Sequence, residues 1–422
     1  MPEARFDVVI AGGGMVGASL ALCLSQLGGG ALKVLVVERF PMPAAPADGI
    51  PQYRPSFDAR STALSYGSQL IFQRLGLWSQ LAPHVCPIHQ VHVSDRGHFG
   101  SVAMTAAEQG WPVLGGVVEN PWLGSVLLGA LGQAAGVEVR SPASVSGVGF
   151  RQNGVALTIS PDGQDASVPE PEMLQAELLV IADGANSGLR QQLGIEAATN
   201  DYHQTAFIAN IATEKPHGGC AYERFTEYGA LAMLPLTADQ QGQSRSALVW
   251  TFAQGQAGAI TALSDDDFLA RLQADFGFRL GRLLKVGERA QFPLKLTQAR
   301  EQVRRNVVVM GNAAHSLHPV AGQGFNLALR DVASLAEIVV GAKQRGAALG
   351  ALATLERYQA GQATDQWLTT QFSDRLTSVF GNRHPMLSLA RNMGLAALDI
   401  LTPAKAQFVA QTAGMLGVGS GR

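Results

Sequence analysis

The sequence predicts an α/β fold with a Rossmann-type dinucleotide-binding domain, a second domain inserted into it and helices at the C-terminal end. Three observations lead there. A G-x-G-x-x-G loop joins a strand to a helix at the start of the chain. A second apolar strand delivers an Asp-Gly turn at residue 183. A third strand runs into a small-residue turn near residue 310, and a helix begins beyond it.

Phe6–Ala11 is an apolar run and reads as a buried strand. Gly12-Gly13-Gly14-Met15-Val16-Gly17 follows, then a helix over Ala18–Leu27 and a strand over Lys33–Val37 that ends at Glu38. In such a βαβ unit the first glycine makes the tight turn and the second lets the backbone approach a pyrophosphate. The third permits close helix–strand packing, and the acid takes the ribose hydroxyls. Gly12, Gly14, Gly17 and Glu38 fill these roles, with Arg39 counted among the cofactor contacts. Residues 41–57 carry four prolines before residue 52 and read as a loop. Asp58-Ala59-Arg60-Ser61-Thr62-Ala63-Leu64 then opens a helix.

Leu178-Leu179-Val180-Ile181-Ala182 is a strand that delivers Asp183-Gly184-Ala185-Asn186-Ser187. Taken alone, Asp-Gly after a strand is a common turn. The third run reads Val308-Val309-Met310-Gly311-Asn312-Ala313-Ala314-His315-Ser316-Leu317-His318-Pro319-Val320-Ala321-Gly322-Gln323-Gly324-Phe325-Asn326. Free N–H groups and the positive dipole at its helix start suit a phosphate or a polarised ring carbonyl. Its glycines let the backbone approach a flat ligand.

This third run resembles the second flavin fingerprint of the single-component aromatic hydroxylases. Its form is similar to that of the branch that hydroxylates polyprenylated phenols in ubiquinone biosynthesis. Leu178–Ser187, followed by Arg190, resembles the Asp-Gly motif of the same family. Tyr222-Glu223-Arg224-Phe225-Thr226 and Val91–Gly97 resemble segments of the ubiquinone branch, and the likeness covers nearly the whole chain. It implies a para-hydroxybenzoate hydroxylase-like fold holding non-covalent FAD, with NAD(P)H as a transient reductant and O2 as co-substrate. It implies that Asp183 and Gly184 help to place FAD, and that His315, Pro319 and Arg60 stand at the flavin as catalytic residues. Gly311, Gly322, Gly324 and Phe325 are implied cofactor contacts, and Asn326 is implied to bond the flavin edge or the backbone. His318 is as open to a packed or exposed role as to one in the site. Asn312 departs from the broad family, which has Asp there against the ribityl hydroxyls. Asn keeps an acceptor and adds donors without the charge.

With the three fingerprints in one cofactor domain, that domain takes residues 1–75, 115–195 and 295–360. Residues 76–114 and 196–294 form the substrate domain, which the resemblance makes mostly antiparallel. Phe207–Ala212, Leu231–Leu236 and Ala247–Phe252 read as its strands. Phe225, Leu231, Met233, Leu234, Pro235, Trp250 and Phe252 are pocket candidates, of which alternation sends half into sheet core. Residues 161–172 read as a hairpin loop and 361–422 as helices. Between Pro385 and Pro403, Leu389, Met393, Ala396 and Ile400 share a broad apolar face. The 385–410 region therefore serves self-association, a partner protein or a membrane surface, or else simply packs on the cofactor domain.

Apolar residues make up 47% of the 422 and charged residues only 15%, below the roughly 25% charged of soluble domains. That fits large buried surfaces and an apolar ligand. A net charge of −2 without basic runs argues against nucleic acid. Cys23, Cys86 and Cys220 are scattered, so neither a disulfide frame nor a metal site is expected. The first strand begins too early for a secretory leader, and no apolar run reaches the roughly 18 residues of a membrane span. The expectation is a soluble, cytoplasmic protein, at most peripheral to the inner membrane.

The implied chemistry asks little of acid–base side chains. Reduced flavin takes up oxygen at C4a, and an electron-rich ring attacks the distal oxygen. The protein supplies orientation and excludes water. The expected activity is ring hydroxylation of a polyprenylated methoxyphenol, with other proteins of ubiquinone biosynthesis as partners. A sister hydroxylase for another ring position, a soluble aromatic hydroxylase, an FAD-dependent prenyl reductase without oxygen activation, and a non-catalytic scaffold stand as alternatives.

Overall fold

The computed structural model describes residues 4–42, 56, 60–97, 101–162, 170–317, 322–380 and 402–415. Its first sheet is built around the strand Ala4–Ala11. Val34–Val37 and Glu172–Ile181 flank that strand in parallel, with Val137–Arg140 and Val307–Val309 beyond them. Val8–Ala11, Val34–Val37, Leu178–Ile181 and Val307–Val309 are unbroken apolar runs because both sheet faces are covered there. The helices Met15–Leu27, Asn120–Leu131 and Gln323–Gln344 cover one face, burying Leu20, Val126 and Leu335 with Val8 and Ile10. The antiparallel pair Ala143–Arg151 and Gly154–Pro161 covers the other, packing Val155 and Leu157 on Val9 and Leu179. Gly154–Pro161 also pairs antiparallel with Glu172–Ile181, so the expected hairpin is present, although most of its loop lies outside the described residues.

The second sheet has nine strands. His315–Ser316, Ala290–Ala299, Ala197–Thr213, Arg245–Ala253, Ala230–Leu236, Cys220–Phe225, Gln90–Asp95 and Ser101–Thr105 lie side by side, and Leu283–Val286 joins Ala197–Thr213. Every pairing is antiparallel except Cys220–Phe225 with Gln90–Asp95. One face packs on the helix Asp265–Phe276, where Phe268, Leu272 and Phe276 meet Leu231, Met233, Leu248, Trp250 and Phe252. Ser264 caps that helix by accepting from Asp267 N at 3.1 Å. Three aspartates in its first turn suit the positive end of the dipole. The opposite face of the sheet turns toward the first.

Several strands run longer than the sequence reading, most of all Ala197–Thr213, read as Phe207–Ala212, and two differences bear on the site. The first helix starts at Met15 and not Ala18, directly after Gly14, which is still extended (φ −65°, ψ −175°). Ser61–Ser65 is a strand, not the opening of a helix; the helix is Tyr66–Arg74. The strand forms because Gly115–Glu119 lies against it in antiparallel register, with Val85–Ile88 on the far side. A Cβ at Gly115 would lie 2.2 Å from Leu64 O, so only glycine admits the pairing.

The chain ends in the helices Leu352–Phe380 and Thr402–Thr412. The second folds back on the body: Gly67 N donates to Ala413 O at 2.9 Å, and Lys405 Nζ pairs with Glu108 at 3.0 Å. Leu389, Met393, Ala396 and Ile400 lie outside the described residues.

Candidate active site

The first fingerprint shows why its glycines are there. Gly12 has φ +107°, and a Cβ on it would lie 2.4 Å from Ala182 O. A Cβ on Gly17 would lie 1.9 Å from Gly12 O, so the helix can seat against the strand end only without one. Gly14 is the opposite case, since nothing lies within 4 Å of an added Cβ. The space over Gly14 is open to a ligand. Glu38 does more than the sequence indicated. Its carboxylate accepts from Gly13 N at 2.7 Å and Phe40 N at 2.9 Å, which fixes the loop and leaves each oxygen a lone pair. Arg39, counted as a cofactor contact, instead extends into solvent and pairs with Asp162 at 3.3 Å.

The second fingerprint lies beside the first: Ala182 N donates to Ala11 O at 2.8 Å. Gly184 takes φ +94° with open space beside it, and exposed Asp183 accepts only a long 3.5 Å bond from Leu189 N. Ser187 accepts from Arg190 N at 3.1 Å. The buried Arg190 guanidinium donates to Ala313 O at 2.7 Å. It thus braces the third fingerprint against the second, a role that single-sequence reading had no means to assign.

In the third fingerprint Gly311 has φ +60° and packs on Val16, whose Cγ2 would lie 3.1 Å from an added Cβ. All three glycine turns therefore converge on the start of the first helix. Asn312 is exposed there. Gly322, at φ +59°, precedes the helix Gln323–Gln344, which has no side-chain cap. Its first-turn N–H groups remain for a ligand, and the space beside Gly324 is open. Phe325 packs partly on the core and lines the adjacent chamber. His318 and Pro319 lie outside the described residues.

Two expected site residues have other duties. His315 is buried, with Nε2 3.2 Å from Asp331 Oδ2, and Asp331 Oδ1 accepts from Gln366 at 3.0 Å. It faces the helix packing and does not line the chamber. Asn326 is saturated within the protein. Its amide donates to Ala63 O and Gly322 O, both at 2.8 Å, and its oxygen accepts from Ser65 N at 2.9 Å and Ser68 Oγ at 2.7 Å. With four bonds made, none is left for a flavin edge. Asn326 is a scaffold clamp that holds the helix start to the strand Ser61–Ser65.

Between this helix start and the inner face of the second sheet lies a chamber of about 470 Å³. Val91, Val93, Ile208, Leu234 and Val249 form its sheet wall, and Phe408 and Val409 of the returning helix form another. Of the seven candidates named from sequence, only Leu234 lines it. Phe225, Leu231, Met233, Trp250 and Phe252 are all core. Arg60 stands at the chamber with its guanidinium 5.7 Å from the centre of the Phe292 ring. A second hollow of about 480 Å³, at Lys285–Gln291, is polar and holds none of the fingerprint residues. Among the described residues there is no metal-ligand cluster, and no helix is long and apolar enough to cross a membrane.

Three glycine turns converging on one helix start, beside a largely apolar chamber, define a dinucleotide-binding flavoprotein. The family model described as an FAD binding domain matches residues 5–373, and the chain belongs to that family. It is an FAD-dependent hydroxylase. Over 413 residues it is 35% identical to the ubiquinone hydroxylase UbiL of Rhodospirillum rubrum, covering 98% of this chain and 90% of that protein. It is 32% identical over 393 residues to the 3-demethoxyubiquinol 3-hydroxylase of Escherichia coli, covering 93% and 94%. Among solved structures, the p-nitrophenol 4-monooxygenase PnpA of Pseudomonas putida shares the fold. The TM-score is 0.74 over 97% of this chain and 99% of that one, at 18% identity.

Proposed function

We propose that the chain hydroxylates the aromatic ring of a polyprenylated methoxyphenol in ubiquinone biosynthesis. The observation that carries this reading is the chamber, which is apolar along the sheet and ends at the uncapped helix start. Such a lining suits an isoprenoid tail. Each five-carbon unit withdrawn from water is worth about 4 kcal/mol gross, on a scale of about 0.8 kcal/mol per CH₂. Two relatives that match nearly the full chain carry ubiquinone-pathway hydroxylation in their names.

Bound FAD, reduced by NAD(P)H, supplies the activated oxygen. This chain's residues bind and orient. The open face of Gly14 receives the pyrophosphate, and the spare lone pairs of Glu38 take the ribose hydroxyls. Exposed Asn312 would hold the ribityl chain, and Asp183 and Gly184 would help to place the cofactor. The first-turn N–H groups after Gly322 and at Gly324 polarise the ring carbonyls. Arg60, steadied on Phe292, is the cation at the chamber. Nicotinamide docks transiently, without a second glycine loop of its own.

The test is turnover of a short-tailed methoxyphenol with NAD(P)H and isotope-labelled O2. One labelled oxygen should enter the ring. Label at another ring carbon identifies a sister hydroxylase, and NAD(P)H oxidation that saturates the tail without taking up O2 identifies a prenyl reductase. Cells lacking the chain should accumulate the unhydroxylated phenol by mass spectrometry.

A further inference from the structure

The sheet wall of the chamber is apolar except at one point. Glu223 stands in the strand Cys220–Phe225, opposite Val93 on one neighbour and Ala232 on the other. Alternation turns Ala221 and Glu223 into the chamber, while Tyr222 turns the other way and meets Phe276 edge-on at 5.6 Å. Glu223 is half-buried, and its carboxylate makes no hydrogen bond or ion pair with any described residue. Among the described residues, Arg60 is the only other charged group on the chamber lining. From the elements facing Glu223 come Val91 and Val93, Ala232 and Leu234, Ala247 and Val249, and Phe408 and Val409, none of which titrates.

An ionised carboxylate in an apolar wall destabilises the fold unless something pairs with it. The described protein offers no partner, so the partner comes with the ligand. It must donate a hydrogen bond and stand among apolar groups, as the hydroxyl of an aromatic ring does.

Resting on the proposed hydroxylation of a phenol, we propose that Glu223 is the catalytic base that holds the substrate's phenolic hydroxyl and takes its proton. The O–H bond breaks, the proton passes to a Glu223 carboxylate oxygen, and the electron pair left on the phenolic oxygen enriches the ring. The ring then forms its new C–O bond with the oxygen atom that the proposed hydroxylation draws from O2. As the ring regains aromaticity, its displaced hydrogen leaves as a proton. Glu223 returns its own proton to the original oxygen, and the carboxylate is restored. Burial pushes the Glu223 carboxyl up to about 7. That brings it closer to a phenol, whose ordinary value is about 10, than a carboxylate in water can come.

The experiment compares wild type with Glu223→Gln, using a methoxyphenol that bears one prenyl unit and an analogue with ring fluorines that lower its phenolic pKa. FAD content and thermal melting serve as fold controls. We expect FAD content to hold and kcat on the plain phenol to fall by about 10²- to 10⁴-fold. The rise of wild-type kcat with pH near 7 should disappear in the variant, and the fluorinated phenol should recover most of the rate. Equal kcat and the same pH profile in both proteins overturn the proposal, as does a loss that the fluorinated phenol does not relieve. If wild type leaves the plain phenol unhydroxylated, the functional reading itself fails. If the Gln variant loses FAD, Glu223→Ala with added formate replaces it. Restoration by formate or by the fluorinated phenol supports the base, and an unchanged rate, or a loss that neither restores, overturns it.

Discussion

Gly14, Asn326 and Glu223 show three ways in which a single residue relates to the site. Gly14 is free of its own protein, so Gly14→Val should leave the fold intact and exclude the cofactor. We expect apoprotein with near wild-type melting and at least a hundredfold loss of FAD affinity, measured by flavin fluorescence titration. Full FAD occupancy would refute the loop's role. Gly12 and Gly17, by contrast, cannot carry a Cβ at all, and their replacement should cost stability before ligand binding is reached. The roles of Gly12 and Gly17 were legible in the sequence because each is a steric demand of the motif. Asn326 was legible as a polar site position but not as a clamp, since its four partners lie around residues 63–68 and 322. Glu223 carries a stability signature of its own. Its displacement from the ordinary 4.5 to about 7 corresponds to about 3 kcal/mol against the ionised folded state. A raised carboxyl pKa lends stability that is complete below the unfolded value and is lost as pH rises through 7. Without substrate, Glu223→Gln should therefore melt higher than wild type at pH 8, and the gain should vanish below pH 5. A variant that melts lower at pH 8 would mean that the carboxylate has a partner inside the protein.

At the scale of elements, the helix Gln323–Gln344 links the site to the rest of the molecule. Its start faces the chamber. Further along, Arg330 forms a two-point bond with Asp365 (2.6 and 3.2 Å), and Asp331 joins His315 to Gln366. Asp331→Ala would leave buried His315 without its carboxylate, at about 1–3 kcal/mol, and would strip half-buried Gln366 of its acceptor. The expected result is a melting point lowered by several degrees with FAD stoichiometry retained at low temperature. If FAD were lost with no change in melting, His315 and Asp331 would belong to the cofactor site after all. The strand Ser61–Ser65 shows what element-level reading lacks. Nothing local separates Ser-Thr-Ala-Leu-Ser from a helix start. The signal is the partner Gly115–Glu119, some fifty residues on, whose glycines let the strands meet. The parallel strands were easier to read because burial on both faces writes itself as an uninterrupted apolar run at Val8–Ala11, Val34–Val37 and Leu178–Ile181.

At the scale of the molecule, one buried ion pair ties the second sheet to the small sheet of Ser61–Ser65, Gly115–Glu119 and Val85–Ile88. Arg245, fully buried in the second sheet, lies 2.9 Å from Glu119 on the three-stranded sheet. The same guanidinium donates to Thr237 O and Ser56 O, and Ser56 N reaches the Glu119 carboxylate at 3.3 Å. Burial raises the Glu119 carboxyl, and Arg245 pulls it back down. Arg245→Ala should cost about 3–5 kcal/mol. The deficit should be larger at pH 8 than at pH 5, because protonation relieves the stranded carboxylate. Pairing it with Glu119→Leu should restore much of the loss in denaturant melts, and a double variant no better than the single would show that the pair does not couple. This clamp was invisible in the sequence, where the two residues lie far apart and each looks like a surface charge.

The helix Thr402–Thr412 has a consequence in time. Phe408 and Val409 form part of the chamber wall, and Gln323 donates to Thr412 O at 3.1 Å beside the site. This wall follows every described strand of the three sheets in the chain. During synthesis the cofactor loop, both sheets and the long helix can all emerge before the room they enclose has its last side. A nascent chain can therefore hold flavin while its reaction space still stands open to water, and shelter for the reaction comes last.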